Sequence, residues 1–326
     1  MVSFFAGAGG LDLGFRKAGF DVVLAVDIES AAVETVNANS KSVVAIRGDV
    51  SALRAGHVAS ELRTRGVRGP VGVIGGPPCQ GFSRGNASRD SNDPRNRLPF
   101  SYAKLLKSLD AEVGVDFFVF ENVVDITRNI RFFGQLKRAF REAGFTVHTA
   151  ELNARDFGVP QDRRRLFLVG LHEKRLSSAR FVFPQGRSRT RTVADAIRGL
   201  PAPTFFRRGV TAEEVGHHPN HWTMTPKSPR FVERRFNRWR SFRRLVWSKP
   251  SPTVAYGNRE IHVHPSGARR LSIYEAMLLQ GFPRRYILRG NFSEQVTQVS
   301  NAVPPPVAYA LARRLRSALG TPAGAR

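Results

Sequence analysis

Cys79 is the only cysteine in a chain of 326 residues. It stands in Gly75-Gly76-Pro77-Pro78-Cys79-Gln80-Gly81-Phe82-Ser83, where a short apolar run ends and two prolines stiffen the exit. A lone cysteine is ordinarily a small buried hydrophobe. This one falls in a loop at the carboxyl end of a strand, the rim at which open α/β sheets bind ligands. A thiol placed there reads as a nucleophile, because a few per cent of it is already thiolate at neutral pH. Phe117-Phe118-Val119-Phe120-Glu121-Asn122-Val123 supplies a second rim group. Asn122 or Asp125 could cap the next helix, but Glu121 would share the rim with Cys79 and could give or take a proton. Asp27 and Asp49 end two further strands. In Gln161-Asp162-Arg163-Arg164-Arg165, strand alternation puts Gln161, Arg163 and Arg165 on one face. That face is either solvated charge or a cationic wall beside Cys79 and Glu121, and such a wall lowers a thiol pKa.

Phe4-Phe5-Ala6-Gly7-Ala8-Gly9-Gly10 separates the first strand from a helix that begins near Leu11. Glycines there let a backbone approach a ligand, and the helix start offers free N–H groups. Asp12 occupies the third glycine position of a dinucleotide fingerprint, which argues against a pyrophosphate at that spot. Asp27, 20 residues beyond Gly7, is placed to hold ribose hydroxyls. With Asp49 these features suit a nucleoside cofactor without pyrophosphate, although a glycine-rich turn and helix caps would read the same way.

The elements that must position these groups are legible as alternating runs. Val2–Phe5, Val22–Asp27, Val43–Asp49, Val71–Gly76 and Phe117–Asn122 read as strands, with helices such as Ser30–Asn39 and Phe133–Ala143 between them. This βαβ pattern predicts an α/β fold with a parallel sheet covered on both faces. Thr146–Leu152 and Arg165–Leu171 are two further strands. Residues 172–245 are rich in Arg, Pro, His and aromatics with little period, and helical patterning returns at Ile273–Gln280 and Val307–Ala318. The expected organisation is one α/β domain over 1–182 and 293–326, and a second, smaller basic domain over 183–292.

The formal net charge is +25, with 43 Arg and eight Lys. GC-rich codon usage could favour Arg over Lys but does not explain the shortage of acids. Such a surplus predicts a polyanionic partner, nucleic acid above all. Arginines such as Arg187, Arg234, Arg235, Arg243 and Arg244 would carry phosphate contacts. One cysteine excludes a disulfide scaffold and a thiolate metal site. His217, His218 and His221 are read as structural or nucleic-acid-facing, because Pro219 blocks a helical zinc pair. No metal is expected. The longest apolar runs are far too short for a bilayer, and the N-terminus shows no signal peptide, so no membrane role is read and a cytoplasmic monomer is expected.

Taken in order, these motifs resemble the bacterial, restriction–modification type of C5-cytosine-specific DNA methyltransferases. The resemblance extends to Asp93-Pro94-Arg95-Asn96-Arg97-Leu98, Lys249-Pro250-Ser251-Pro252-Thr253-Val254, Arg270-Leu271-Ser272, Leu279-Gln280-Gly281-Phe282-Pro283 and Asn301-Ala302-Val303-Pro304-Pro305-Pro306. Only 172–245 lacks a pattern, and in that family this span is the variable target-recognition region. The resemblance implies a Rossmann-like sheet that binds S-adenosyl-L-methionine and double-stranded DNA. It implies that Cys79 adds to C6 of a flipped cytosine while Glu121 serves N3 and reads the exocyclic amine. Arg163 and Arg165 would orient that carboxyl and bind the cytosine carbonyl. Phe4, Gly7, Gly9, Ile28 and Asn301 would line the methyl donor. Asp27 would hold its ribose and Asp49 its adenine amine, with Val50, Pro78 and Leu98 packed around them.

Two positions depart from the family pattern. Tyr274 stands where an arginine usually precedes Glu275, and Ile28 follows Asp27 where some members carry an aromatic. A tRNA cytosine methyltransferase of the same superfamily is the nearest alternative, but its loop typically continues Pro-Phe-Thr where Gly81-Phe82-Ser83 stands here. A catalytically dead DNA-binding regulator would not need Cys79, Glu121 and Arg165. A nicotinamide oxidoreductase leaves the Pro-Pro-Cys-Gln loop and the charge unexplained.

Overall fold

The computed structural model describes residues 1–78, 94–186, 189–211, 214–227, 229–233, 242–254 and 262–320. At its centre lie β1 (Val2–Phe4), β2 (Leu24–Asp27), β3 (Ala45–Arg47), β4 (Val71–Gly75), β5 (Val115–Asn122), β6 (Phe145–Asn153) and β8 (Arg164–His172). They form one sheet in the order β3-β2-β1-β4-β5-β8-β6. The first five pair in parallel, as the βαβ pattern predicts. The two later strands do not: β8 runs antiparallel to both β5 and β6. The cause is the short connection after β6, which holds only a single 3₁₀ turn (Ala154–Phe157) and the two-residue strand β7 (Gln161–Asp162). A parallel neighbour needs a crossover of a dozen or more residues.

Helices α1 (Gly10–Lys17), α2 (Ser30–Ala38), α3 (Ala55–Thr64), α4 (Leu98–Val113) and α5 (Ile130–Glu142) connect the strands. The sheet is buried on both sides, and β5 shows why its sequence is apolar throughout. Phe118 and Phe120 pack into the cluster that holds Tyr102 and Phe140. Phe117 and Val119 pack into the opposite one, with Phe15 and Phe167. Glu121 falls on this second face by alternation.

Beyond β8 the chain leaves the sheet. It forms α6 (Val193–Ile197), α7 (Pro229–Val232) and short ladders: β9 (Thr204–Phe205) with β10 (Trp222–Thr223), and β11 (Arg243–Arg244) with β13 (His262–Val263). Strand β12 (Ser251–Pro252) pairs instead with β7. These pieces, with α8 (Ile273–Leu279) and α9 (Phe292–Asn301), bury two further apolar clusters, one around Trp222, Met277 and Phe292 that also takes in Ala8 of the glycine loop, and one around Val193, Leu245 and Leu271. α10 (Pro305–Ala318) then returns to the sheet against α1. The approach is close: a Cβ on Gly14 would lie 2.3 Å from that of Ala308.

Tyr274 has a definite place in this outer region. Its ring stacks on His218 at 4.0 Å and 17°. Glu275, fully buried, draws its counter-charge from Arg269 through two 2.7 Å hydrogen bonds. The buried carboxylate is therefore paired without an arginine at 274. Ser272 and Glu275 also close a reciprocal cap that starts α8.

Candidate active site

The carboxyl ends of β1, β2, β4 and β5 open into one cleft of about 2850 Å³. That exceeds the usual 300–1,000 Å³ of a small-molecule pocket and leaves room for a cofactor and a larger partner. Phe4, Gly7, Asp27, Ile28, Asp49, Val50, Pro78, Leu98, Glu121, Arg165 and Asn301 all line it. Gly9 and Arg163 do not, and Cys79 lies outside the described residues.

The glycine loop is shaped for close approach. Gly7 has φ 53°, and a Cβ built on it would meet nothing within 4 Å. Its N–H donates to Asp27 Oδ2 at 2.7 Å, while the Glu29 N–H donates to Asp27 Oδ1 at 3.0 Å. Burial raises the pKa of Asp27, against these donors, which lower it. Asp49 is held by the Ser51 N–H and hydroxyl, at 2.8 and 2.7 Å on one oxygen. Ile28 is 54% exposed and offers an apolar surface beside Asp27. Two carboxylates, an exposed aliphatic and a bare glycine backbone match what a nucleoside needs. Gly9 serves packing instead: its φ is 69°, and a Cβ there would press to 2.8 Å from the Tyr286 hydroxyl.

Phe4 is buried, its ring edge-on to Tyr102 at 6.3 Å. Phe5, which sequence reasoning passed over, lines the cleft at φ 54°. A left-handed φ on an aromatic residue is uncommon and marks a constrained position. No composition or period signal distinguishes it from Phe4.

Glu121 is buried at the end of β5, opposite Phe167 of β8. Paired residues share a face, and Arg165 stands two residues nearer the rim on that face. Arg165 Nε lies 3.1 Å from Glu121 Oε1, an ion-pair contact without hydrogen-bond alignment. Burial raises the Glu121 pKa, and the Arg165 and Arg163 charges pull it partly back. Next to Glu121 runs the segment that leads to Cys79. Asn122 Nδ2 donates to the Pro77 carbonyl at 3.0 Å, and a Cβ on Gly76 would come within 2.9 Å of Glu121 Oε2.

Arg163 is anchored to backbone carbonyls. Its guanidinium is buried and donates to the carbonyls of Val254, at 3.2 Å, and Ser300, at 2.8 Å. Gln161 is buried alongside, accepting from the Val254 N–H at 3.3 Å. The Thr253 hydroxyl donates to the Asp162 carbonyl at 2.8 Å. Of the two arginines, Arg165 alone is in ion-pair contact with Glu121, and the Arg163 charge acts on it from further off. His221 is also structural, bridging the Ser272 hydroxyl and the Pro201 carbonyl at 2.9 Å each. Arg95, Arg97, Arg128, Arg164, Arg243, Arg244 and Lys249 also line the cleft, interspersed with the acids Glu29, Asp125, Glu151, Asp162 and Glu294. Arg187, Arg234 and Arg235 lie outside the described residues.

Residues 1–317 match the family described as C-5 cytosine-specific DNA methylase. The chain belongs to that family. It is 34% identical to the Type II methyltransferase M.MthTI of Methanothermobacter thermautotrophicus, over 98% of this chain and 97% of the relative. It is 31% identical to M.FnuDI of Fusobacterium nucleatum, over 98% and 94%. Among solved structures, a DNA modification methyltransferase encoded within an E. coli prophage superposes with a TM-score of 0.77 at 26% identity, covering 98% and 99% of the two chains. The S. pombe Dnmt2 methyltransferase shares the fold at a TM-score of 0.68 and 16% identity, over 98% of each chain. The methyltransferase is thus a DNA cytosine-C5 enzyme of the restriction–modification type, from a family and fold that depend on S-adenosylmethionine. No described helix is long and apolar enough to cross a membrane.

Proposed function

We propose that the enzyme methylates C5 of a cytosine flipped out of duplex DNA, through a covalent Cys79 adduct at C6. The observation that carries this reading is Glu121. A buried carboxyl with a raised pKa faces the cleft beside one arginine and beside the segment that leads to Cys79.

Cytosine C5 is too weak a nucleophile to be methylated unaided. The Cys79 thiolate forms an Sγ–C6 bond, and the ring electrons move toward N3. Glu121, whose neutral form burial favours, donates its proton or a strong hydrogen bond to N3 and accepts from the exocyclic amine. Arg165 steadies that carboxyl and would bind the cytosine carbonyl. C5 is thereby made enamine-like. S-adenosylmethionine, when bound, supplies an electrophilic methyl group for that carbon. A base such as water then takes the C5 proton, the C–H electron pair forms the C5–C6 double bond, and Cys79 leaves as thiolate as the C6–S bond breaks.

The loop at Gly7 would hold the donor, with Asp27 toward its ribose, and Asp49, Ile28, Val50, Pro78 and Leu98 around its adenine. Asn301, which lines the same cleft, would complete the pocket. Residues 183–292 form the target-recognition part, and 1–182 with 293–326 the catalytic part. The target base is stacked in duplex DNA, so it must be extruded to reach Glu121.

The test is direct. Protein, plasmid and S-adenosylmethionine are incubated, and methylated bases are located by bisulfite sequencing. We expect 5-methylcytosine at a defined sequence with the native enzyme and none with Cys79→Ser, which should fold normally. Native protein should also trap covalently on duplexes containing 5-fluorocytosine. Near-native turnover by the serine variant would remove Cys79 from the mechanism.

A further inference from the structure

We infer that Arg243 reads a guanine base next to the target cytosine, and so sets sequence specificity. The inference rests on the reading above that duplex DNA occupies the cleft.

Arg243 and Arg244 are successive residues of β11, so their side chains leave the strand on opposite faces. The structure treats them differently. Arg244 Nε donates to the Pro265 carbonyl at 2.8 Å, and its guanidinium lies over the turn at Gly267, 3.4 Å from a Cβ built there. Arg244 is thus partly committed to holding the 264–267 turn. The Arg243 side chain is exposed and makes no hydrogen bond or ion pair with another described residue. Yet its backbone is held. The β11·β13 ladder fixes Arg243 opposite His262, and the Leu245 N–H continues the pairing to the Val263 carbonyl at 2.9 Å. The buried Leu245 side chain anchors the same segment.

An unengaged guanidinium on a hydrogen-bonded two-stranded ladder suits major-groove reading. The groove admits a two-stranded ribbon, and the planar fork of arginine matches the O6 and N7 acceptors of guanine. Phosphate contacts do not need a backbone held in that way. Val246 sharpens the contrast. It is 49% exposed and lines the same cleft three residues on, so this edge also presents an apolar surface. Apolar groups complement base edges and pyrimidine methyls, not phosphates. Arg243 lines the same cleft as Glu121 and Arg165, within which the target cytosine would be processed.

The experiment compares native enzyme, Arg243→Ala and Arg243→Lys on plasmid DNA carrying randomised sequence around cytosines. Bisulfite profiles are read together with the salt dependence of DNA binding. Native enzyme should require guanine at one position near the cytosine. Both variants should relax that one position by roughly 5- to 150-fold and leave the others unchanged. Lysine keeps the charge but not the fork, so its salt slope should match the native one. An unchanged profile, a native site without guanine, or a uniform slowing of all sites with a salt slope smaller by about one would each overturn the inference. If native enzyme leaves no 5-methylcytosine anywhere, the underlying reading of the cleft falls, and this inference with it.

Discussion

Arg165 Nε stands 3.1 Å from Glu121 Oε1, on neighbouring antiparallel strands whose register puts both side chains on one face. The pair is poised between two effects. Burial favours the neutral carboxylic acid, and the arginine favours the carboxylate.

The sign of the pH dependence follows. A reaction that needs protonated Glu121 runs fully below its raised pKa and slows as pH rises through it. Arg165→Ala removes a cation that lowers this pKa, so the alkaline limb should move to higher pH while the rate falls. Glu121→Gln removes the proton source and keeps the shape. We expect a loss of roughly 10²–10⁴-fold in turnover, the usual range for general acid–base catalysis, with donor affinity barely changed. Unchanged turnover with weakened donor binding would move Glu121 into the cofactor site.

Arg163 should behave as a structural clasp. Arg163→Ala leaves the carbonyls of Val254 and Ser300 without the donors they now have. Each buried polar group left unpaired costs about 1–3 kcal/mol. Lysine could reach one carbonyl but lacks the fork to span two. Thermal melting should therefore rank native above Arg163→Lys above Arg163→Ala. Variants that melt like the native enzyme yet lose turnover would instead put Arg163 on the base.

These two arginines also show what was legible in the sequence and what was not. Apolar runs that stop abruptly at Asp27, Gly75 and Glu121 marked the rim, because parallel strands buried on both faces tolerate polarity only at their ends. Alternation grouped Arg163 with Arg165. It could not show that the partners of Arg163 lie 91 and 137 residues further along the chain. Contacts that distant leave no periodic trace. Strand direction was hidden for a similar reason: a period of two is the same either way along β8. The substitute pairing of Arg269 with Glu275 was also invisible, since no local spacing signals a charge borrowed from before the helix.

The last expectation concerns stability, where buried groups of opposite sign compete. Asp12 is buried on α1, accepting from the Ser3 hydroxyl at 2.5 Å, and burial pushes its pKa up from 3.8 to about 6. Its contribution to stability is complete below the unfolded value and is lost as pH rises through about 6, at no more than about 1.4 kcal/mol per pH unit. His218 and His264 run the other way. Burial pushes both down to about 4 from 6.5, helped by neighbouring His217 and His221 for the first and by Arg269 for the second. Glu275, 3.9 Å from His264, opposes that shift without cancelling it. Their contribution is complete above 6.5 and is lost as pH falls toward 4. Between about 4 and 6 the two histidines oppose the one aspartate, so among these three groups the unfolded chain binds more protons and stability rises with pH. His218→Gln should flatten that rise. Asp12→Asn should steepen it, because the opposing group no longer titrates. Melting temperatures of the three proteins from pH 4.5 to 7 decide the matter: a slope unmoved by Asp12→Asn means that Asp12 titrates alike in folded and unfolded chains, and burial on α1 then does not hold its proton.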